Sequence, residues 1–337
     1  MRLGLALPHY DTSLANQPVS WDGVRRVAQL AERSGFSSVW ISDHLFLDWG
    51  KYGGPSDRQG ALESWTTLSA LGAVTKRVRL GTLTLCNDLR YPSLLAKMAA
   101  SLDRLSGGRV DVGLGAGWYE PEYKAAGIPF DPPGARIRRV GEAAEIVRRL
   151  LSGEELTFSG RFYATDGAIV RPGPVQQPPP PVWIGGKGDF LLKTVAQKAD
   201  GWNFSWLGDF DTYAERSKVA DEACESVDRD PASLKRSVGA YVIAGRDEAD
   251  AKRRFERLVE RTPEGVLRPQ NGGAGVSWDE FRRTRVAGTV AEVTDRLGSL
   301  SRFGVEEVIV TLGTLPFQVA DEEDVELVGA EIASALR

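Results

Sequence analysis

Apolar residues along the chain fall into two patterns that take turns. Runs such as LGLAL over 3–7 are apolar without a break, as a strand covered on both faces must be. The stretch 21–33 instead spaces Val24, Val27, Ala28 and Ala31 three and four apart, the signature of one buried helical face, and Gly35 ends it. The same exchange recurs. Strand runs are expected at 37–42 (SSVWIS), 78–85, 109–115, 181–186, 201–206, 237–244 and 305–312. Helices are expected over 64–75, 92–105, 134–151, 189–197, 210–227, 247–260, 289–301 and 321–336. The helix over 134–151 is strongly amphipathic, through Ile137, Val140, Ala144, Val147 and Leu151.

The rhythm breaks in three places. Residues 45–60 are polar, contain Gly53-Gly54-Pro55 and read as a long exposed loop. Residues 152–181 hold TFSGRFY, hairpin-like around Ser159-Gly160, and then QQPPPP, a stiff extended linker. Residues 262–275 read as a mobile glycine-rich loop. Eight βα units with an insertion between units fit a single α/β domain over 1–337, a (β/α)8 TIM-like barrel. An open doubly wound sheet is the competing arrangement, but no G-x-G-x-x-G follows the first strand.

Composition narrows the class. Of 337 residues 42% are apolar and 26% charged, as in an ordinary globular protein. A net charge of −4 gives no basic field for nucleic acid or an anionic membrane. Cys86 and Cys224 form no CxxC, which argues against a disulfide framework or a structural zinc site. MRLGLALPHY lacks the long apolar run of a signal peptide, and no stretch is long and apolar enough to span a bilayer. A reducing cytoplasm is the expected compartment.

In such a barrel chemistry gathers at the C-terminal ends of the strands. His9 follows the first strand and Asp43-His44 the second, so both histidines of the chain are expected at one rim. A capping role suits either alone; two beside an aspartate favour function over capping. Only two histidines exist, so no metal site is expected. The third strand ends in Cys86, Asn87 and Asp88, either a capped turn or a close approach to a planar ligand. The fourth ends in GLGAGWYEPEY. Its glycines bare backbone beside Trp118 and Tyr119, suiting a flat heteroaromatic ligand. Glu120 and Glu122 are either a solvated turn or an acid–base carboxylate. The fifth ends in IGGKGDF, either an anion cradle or a plain helix entry.

These segments together resemble the bacterial-luciferase-like family of flavin and deazaflavin oxidoreductases. The resemblance runs through MRLGLALPHY, GFSSVWISDHL, the block VRLGTLTLCNDLRYPSLLAKMAASLDRLSGGRVDVGLGAGWYEPEY, PPPPVWIGGKG and VAGTVAEVTDRL…FGVEEVIV, nearly the whole chain. SDHL, LLAKMAASLDRLSGGR and GLGAGW are closest to the branch using coenzyme F420. The resemblance implies that Asp43 contacts the ring system and that His44 sits near its hydride-carrying carbon. It implies a non-prolyl cis peptide at Leu83–Thr84 and a ring-edge hydrogen bond from Cys86, where many relatives carry threonine. Ala116, Gly117, Trp118 and Tyr119 would line the cofactor channel, and Gly185, Gly186, Lys187 and Gly188 would hold the phosphate. Glu122 matches a carboxylate of sugar-phosphate-oxidising members. Trp118 stands where those members have a catalytic carboxylate, which argues against the same reaction.

The implied activity is hydride transfer between a deazaflavin and a small organic substrate, with a proton moving through His44, or through His9 or Glu122. Alternatives are an FMN-dependent monooxygenase fed by a partner flavin reductase, and a non-catalytic flavin-binding barrel. The loops 45–60, 152–181 and 262–275 would meet the substrate, and Trp49 and Tyr52 hint at a planar or apolar one. The resemblance also implies a homodimer.

Overall fold

Eight parallel strands close on themselves. They are β1 (Arg2–Ala6), β2 (Ser38–Ile41), β3 (Arg79–Thr82), β4 (Val110–Gly115), β5 (Val182–Gly185), β6 (Gly201–Leu207), β7 (Lys235–Gly245) and β8 (Val305–Thr311). Neighbours in sequence are neighbours in the sheet. Leu3 of β1 lies against Val308 of β8, and Ile184 of β5 against Leu114 of β4, so the sheet has no free edge. The computed structural model describes residues 1–54, 56–267 and 276–337. Its architecture is the TIM-like α/β barrel.

Two apolar layers hold it. The outer lies between strands and helices. Val24, Val27, Ala28 and Ala31 of α1 (Trp21–Ser34) are all buried there. That helix starts where Ser20 accepts from the Gly23 N–H at 3.1 Å and ends at Gly35 with φ 107°, a left-handed position that glycine adopts without strain. The inner layer fills the barrel mouth with Ala6, Tyr10, Trp40, Leu83, Ile309, Leu315 and Phe317. The Trp40 indole lies so close over Gly81 that a Cβ there would sit 2.2 Å from it, which is why β3 carries a glycine inside a strand.

The surrounding helices include α2 (Ser64–Val74), α3 (Pro92–Ser106), α4 (Glu120–Ala126), α5 (Pro133–Leu151) and α6 (Asp189–Lys198). The sequence pattern did not separate α4 or the short helix Trp278–Thr284 from loop. Each is seven residues, too short to show a full amphipathic period. The closing helix differs too: Glu322–Leu327 passes through a π-helical turn, Val328–Ile332, before Ala333–Ala335.

The stretch 45–60 is more ordered than an exposed loop. Phe46–Asp48 pairs antiparallel with Arg58–Gly60 around a 3-10 turn, Trp49–Tyr52. Trp49 is fully buried, with its indole N–H donating to Thr12 Oγ1 at 2.8 Å. Residues 152–181 hold an antiparallel pair, Leu156–Ser159 with Ala164–Ala168. Of the expected loop 262–275, residues 268–275 lie outside the described residues. No helix among the described residues is long and apolar enough to cross a membrane.

Candidate functional site

A cavity of about 460 Å³ opens at the C-terminal ends of the strands. β2 delivers Ser42, Asp43 and His44 to it. β3 runs into a cis peptide between Leu83 and Thr84, after which Leu85 and Cys86 pair again with Leu114 and Gly115 of β4. β4 and β5 supply Gly115, Ala116, Gly117, Gly185 and Gly186. Tyr10, Lys51, Tyr52, Trp118, Trp206 and Phe317 line the remainder.

The polar centre is an imidazole held from behind. Glu122, on the first turn of α4, is 1% exposed. One of its oxygens accepts from His44 Nδ1 at 2.9 Å and the other from the Leu45 N–H at 3.0 Å. The Glu122 carboxyl group, which also takes the Leu45 N–H, is the acceptor facing Nδ1, so the arrangement favours the proton on Nδ1 and leaves Nε2 for the cavity that His44 lines. Trp118 stands edge-on to the ring with centroids 5.2 Å apart, and the Lys51 ammonium lies 3.6 Å from the Trp118 centroid. The alternative of a solvated turn at Glu122 does not apply; Glu120 is exposed.

Asp43 is engaged on all sides. It accepts from Arg90 Nη1 at 2.6 Å and Nη2 at 3.2 Å, from the Cys86 N–H at 3.0 Å and from Ser64 Oγ at 2.5 Å. Four donors fill the four lone-pair sites of a carboxylate. Asp43 therefore ties the end of β2 to α2 and to the segment after β3.

Cys86 is likewise spoken for. Its Sγ lies 3.0 Å from the Tyr123 hydroxyl, which donates to Asp88 at 3.0 Å. The one thiol proton is thus drawn to Tyr123, and burial pushes the thiol up to about 12. A ring-edge hydrogen bond from this thiol would have to break that contact.

Gly117 has φ 71°, and a Cβ on it would meet the Tyr123 hydroxyl at 1.8 Å. Arg136 of α5 donates to the carbonyls of Ala116 and Gly117 and holds this backbone in place. Tyr119 packs behind His44, with centroids 6.2 Å apart, outside the cavity lining. Lys187 donates to the Trp206 carbonyl at 3.0 Å, and Gly188 caps α6; both stand away from the cavity wall.

His9 is fully buried and is not among the lining residues. Its Nδ1 is 2.9 Å from the Leu7 carbonyl and its Nε2 is 3.1 Å from that of Ser42. Burial drives its pKa down to about 4. So the two histidines share the rim, but only His44 faces the cavity.

Sequence reasoning singled out Tyr52, which lines the cavity, but missed Tyr10, Ser42, Lys51, Arg136, Ser205, Trp206 and Phe317. Tyr10 and Ser42 flank the two histidines and follow strands, so their position was a usable signal. Arg136 sits in an amphipathic helix, where nothing marks it among Arg138 and Arg139.

Gly115, Gly117, Gly185, Gly186 and Ala116 line the cavity together with Leu83, Leu85, Ile137, Leu191 and the rings of Tyr10, Tyr52, Trp118, Trp206 and Phe317. Bared backbone and apolar walls suit a flat ligand, and the volume lies in the ordinary range of cofactor sites. A barrel with such a cleft and one oriented imidazole at its C-terminal face has the build of a TIM-barrel enzyme. The chain belongs to the luciferase-like monooxygenase family, whose model matches residues 1–322. It is 27% identical over 348 residues to the FMNH2-dependent dimethylsulfone monooxygenase of Pseudomonas putida, covering 96% of this chain and 91% of that one. It is 32% identical over 241 residues to the F420-dependent hydroxymycolic acid dehydrogenase of Mycobacterium tuberculosis, covering 71% and 64%. Its fold matches the F420-dependent tetrahydromethanopterin reductase of Methanopyrus kandleri, at 20% identity, TM-score 0.73 and coverage of 100% and 99%.

Proposed function

We propose that the protein is an F420-dependent oxidoreductase that moves a hydride between the deazaflavin and a small organic alcohol or carbonyl compound. The observation that carries this is the His44–Glu122 pair: one imidazole, held from behind by a buried carboxylate, in a cavity lined in part by bare glycine backbone. The 32% identity to an F420-dependent dehydrogenase supports the deazaflavin.

Leu83, Thr84, Ala116, Gly117, Gly185 and Gly186 would hold the ring, with Asp43 and Cys86 shaping its edge through their own hydrogen bonds. When bound, the deazaflavin supplies or accepts the hydride at its ring carbon. His44 takes the substrate hydroxyl proton at Nε2 in the oxidative direction and returns it in the reductive one. Glu122 keeps Nδ1–H directed at itself and offsets the imidazolium charge. Trp118 and Phe317 give the cleft apolar walls. Exposed Leu94 (56%) and Leu105 (75%), three turns apart on one face of α3, support the homodimer.

The FMN-dependent reading, with a partner reductase supplying reduced flavin, is favoured by the near-complete coverage of the Pseudomonas putida enzyme. A turnover screen following deazaflavin absorbance against ketones, aldehydes and secondary alcohols tests the first reading. His44→Ala should lower turnover more than tenfold with coenzyme affinity unchanged. No turnover with any compound, and intact ligand binding in the variant, would leave a non-catalytic binding barrel.

A further inference from the structure

Besides His44 the cavity has a second polar pole. The Tyr10 hydroxyl meets Ser42 Oγ, and both side chains line the cavity. Ser42 Oγ lies 3.2 Å from His9 Nε2, which completes a three-member chain running from the cavity into the barrel interior. Tyr10 is 1% exposed, Ser42 5% and His9 0%. The Tyr10 ring centroid is 6.3 Å from that of His44, so both reach the same part of the cleft.

The polarity of this chain is open, because His9 faces a carbonyl oxygen with each nitrogen and a neutral ring carries one proton. With the proton on Nδ1, bonded to Leu7, Nε2 accepts from Ser42 and Ser42 accepts from Tyr10. The Tyr10 proton is then used up inside the chain. With the proton on Nε2, His9 donates to Ser42, Ser42 donates to Tyr10, and the Tyr10 proton is free for the cavity. Burial keeps His9 uncharged, so the two neutral tautomers are the available states. Burial likewise keeps Tyr10 protonated.

We propose that Tyr10 is a second catalytic residue, its hydroxyl donating a hydrogen bond to the reacting oxygen of the substrate, with Ser42 and His9 as positioning residues that set its polarity. This rests on the alcohol–carbonyl reading above. His44 moves the proton; Tyr10 stays neutral and hydrogen-bonds the oxygen as it gains or loses negative charge. The substrate class is then narrowed to compounds whose single reacting oxygen reaches both groups, with its carbon skeleton against Tyr52, Trp206 and Phe317.

The chain contains two histidines, so nitrogen-15 NMR of imidazole-labelled protein resolves both, with His44→Gln as the assignment control. In the ligand-free protein His9 should show the Nε2–H tautomer. Tyr10→Phe leaves Ser42 nothing to donate to except His9, so the population should shift to Nδ1–H. In turnover, the same variant should lower kcat about 10²-fold with coenzyme affinity unchanged. A His9 held wholly as Nδ1–H in the wild type would overturn the proposal, as would an Nε2–H population that Tyr10→Phe does not move. If that variant fails to fold, the wild-type tautomer ratio alone decides. Because the readout needs no coenzyme, its failure is distinct from failure of the deazaflavin reading, which a coenzyme titration decides separately.

Discussion

His9 and His44 show how little a residue's type says about its work. Both follow a barrel strand, yet one is a buried neutral ring and the other faces the cavity. The difference has a measurable consequence. His9 titrates near 4 when folded and near its ordinary 6.5 when unfolded. Below pH 6.5 the unfolded chain therefore binds a proton that the folded chain refuses. Stability contributed by the neutral ring is present above pH 6.5 and is lost as pH falls towards 4. The shift corresponds to about 3 kcal/mol over that window. Denaturant unfolding from pH 7 to pH 4 should show His9→Asn losing about that much less stability than the wild type. Equal pH slopes would contradict the burial argument. From the sequence the two histidines were equivalent, because burial depends on which neighbours fold over each ring. Here Phe317 covers His9, with centroids 5.2 Å apart, and it comes from a loop over three hundred residues away.

Elements were legible where apolar runs were long and periodic. All eight strands of the barrel and helices such as α1 and α5 follow from pattern alone. What pattern does not reveal is the side-chain wiring that joins strand ends. Asp43 and Arg90 illustrate it. The aspartate stands at the end of β2 and the arginine just before α3, and their pairing fixes β2, α2 and the segment after β3 together. Asp43 is 4% exposed and the Arg90 side chain 12%, so removing one partner leaves a buried charge without its main compensation. Arg90→Met should cost about 3–5 kcal/mol, read as a lowered denaturant midpoint. A loss under about 1 kcal/mol would mean that the pair behaves as an exposed one. Glu122 was hard to place for a related reason. Its helix is seven residues long, and its burial comes from closing over His44 and Leu45 rather than from an amphipathic face.

At the scale of the whole molecule, two kinds of surface remain. The first is the outer face of α3, where Leu94 and Leu105 are exposed beside Tyr91. Sedimentation of the wild type should give a dimer, and Leu105→Glu should shift it to monomer at micromolar concentration; a wild-type monomer would contradict the assignment of that face. The second is the cavity itself. Family, fold and the His44 rim could be read from the chain because strand order and motif spacing survive without knowledge of contacts. Of the substrate-facing wall only Tyr52 could, since Tyr10, Trp206 and Phe317 come from three further segments and meet it only when the barrel closes.

Whether this cavity takes a deazaflavin is decided by two titrations on the purified protein, one with coenzyme F420 and one with FMN. Each is followed by quenching of tryptophan fluorescence, because Trp118 and Trp206 line the cavity. F420 should quench saturably at concentrations where FMN leaves the signal unchanged. Saturation by FMN with no response to F420 would contradict the deazaflavin reading and place the protein among the flavin-dependent monooxygenases.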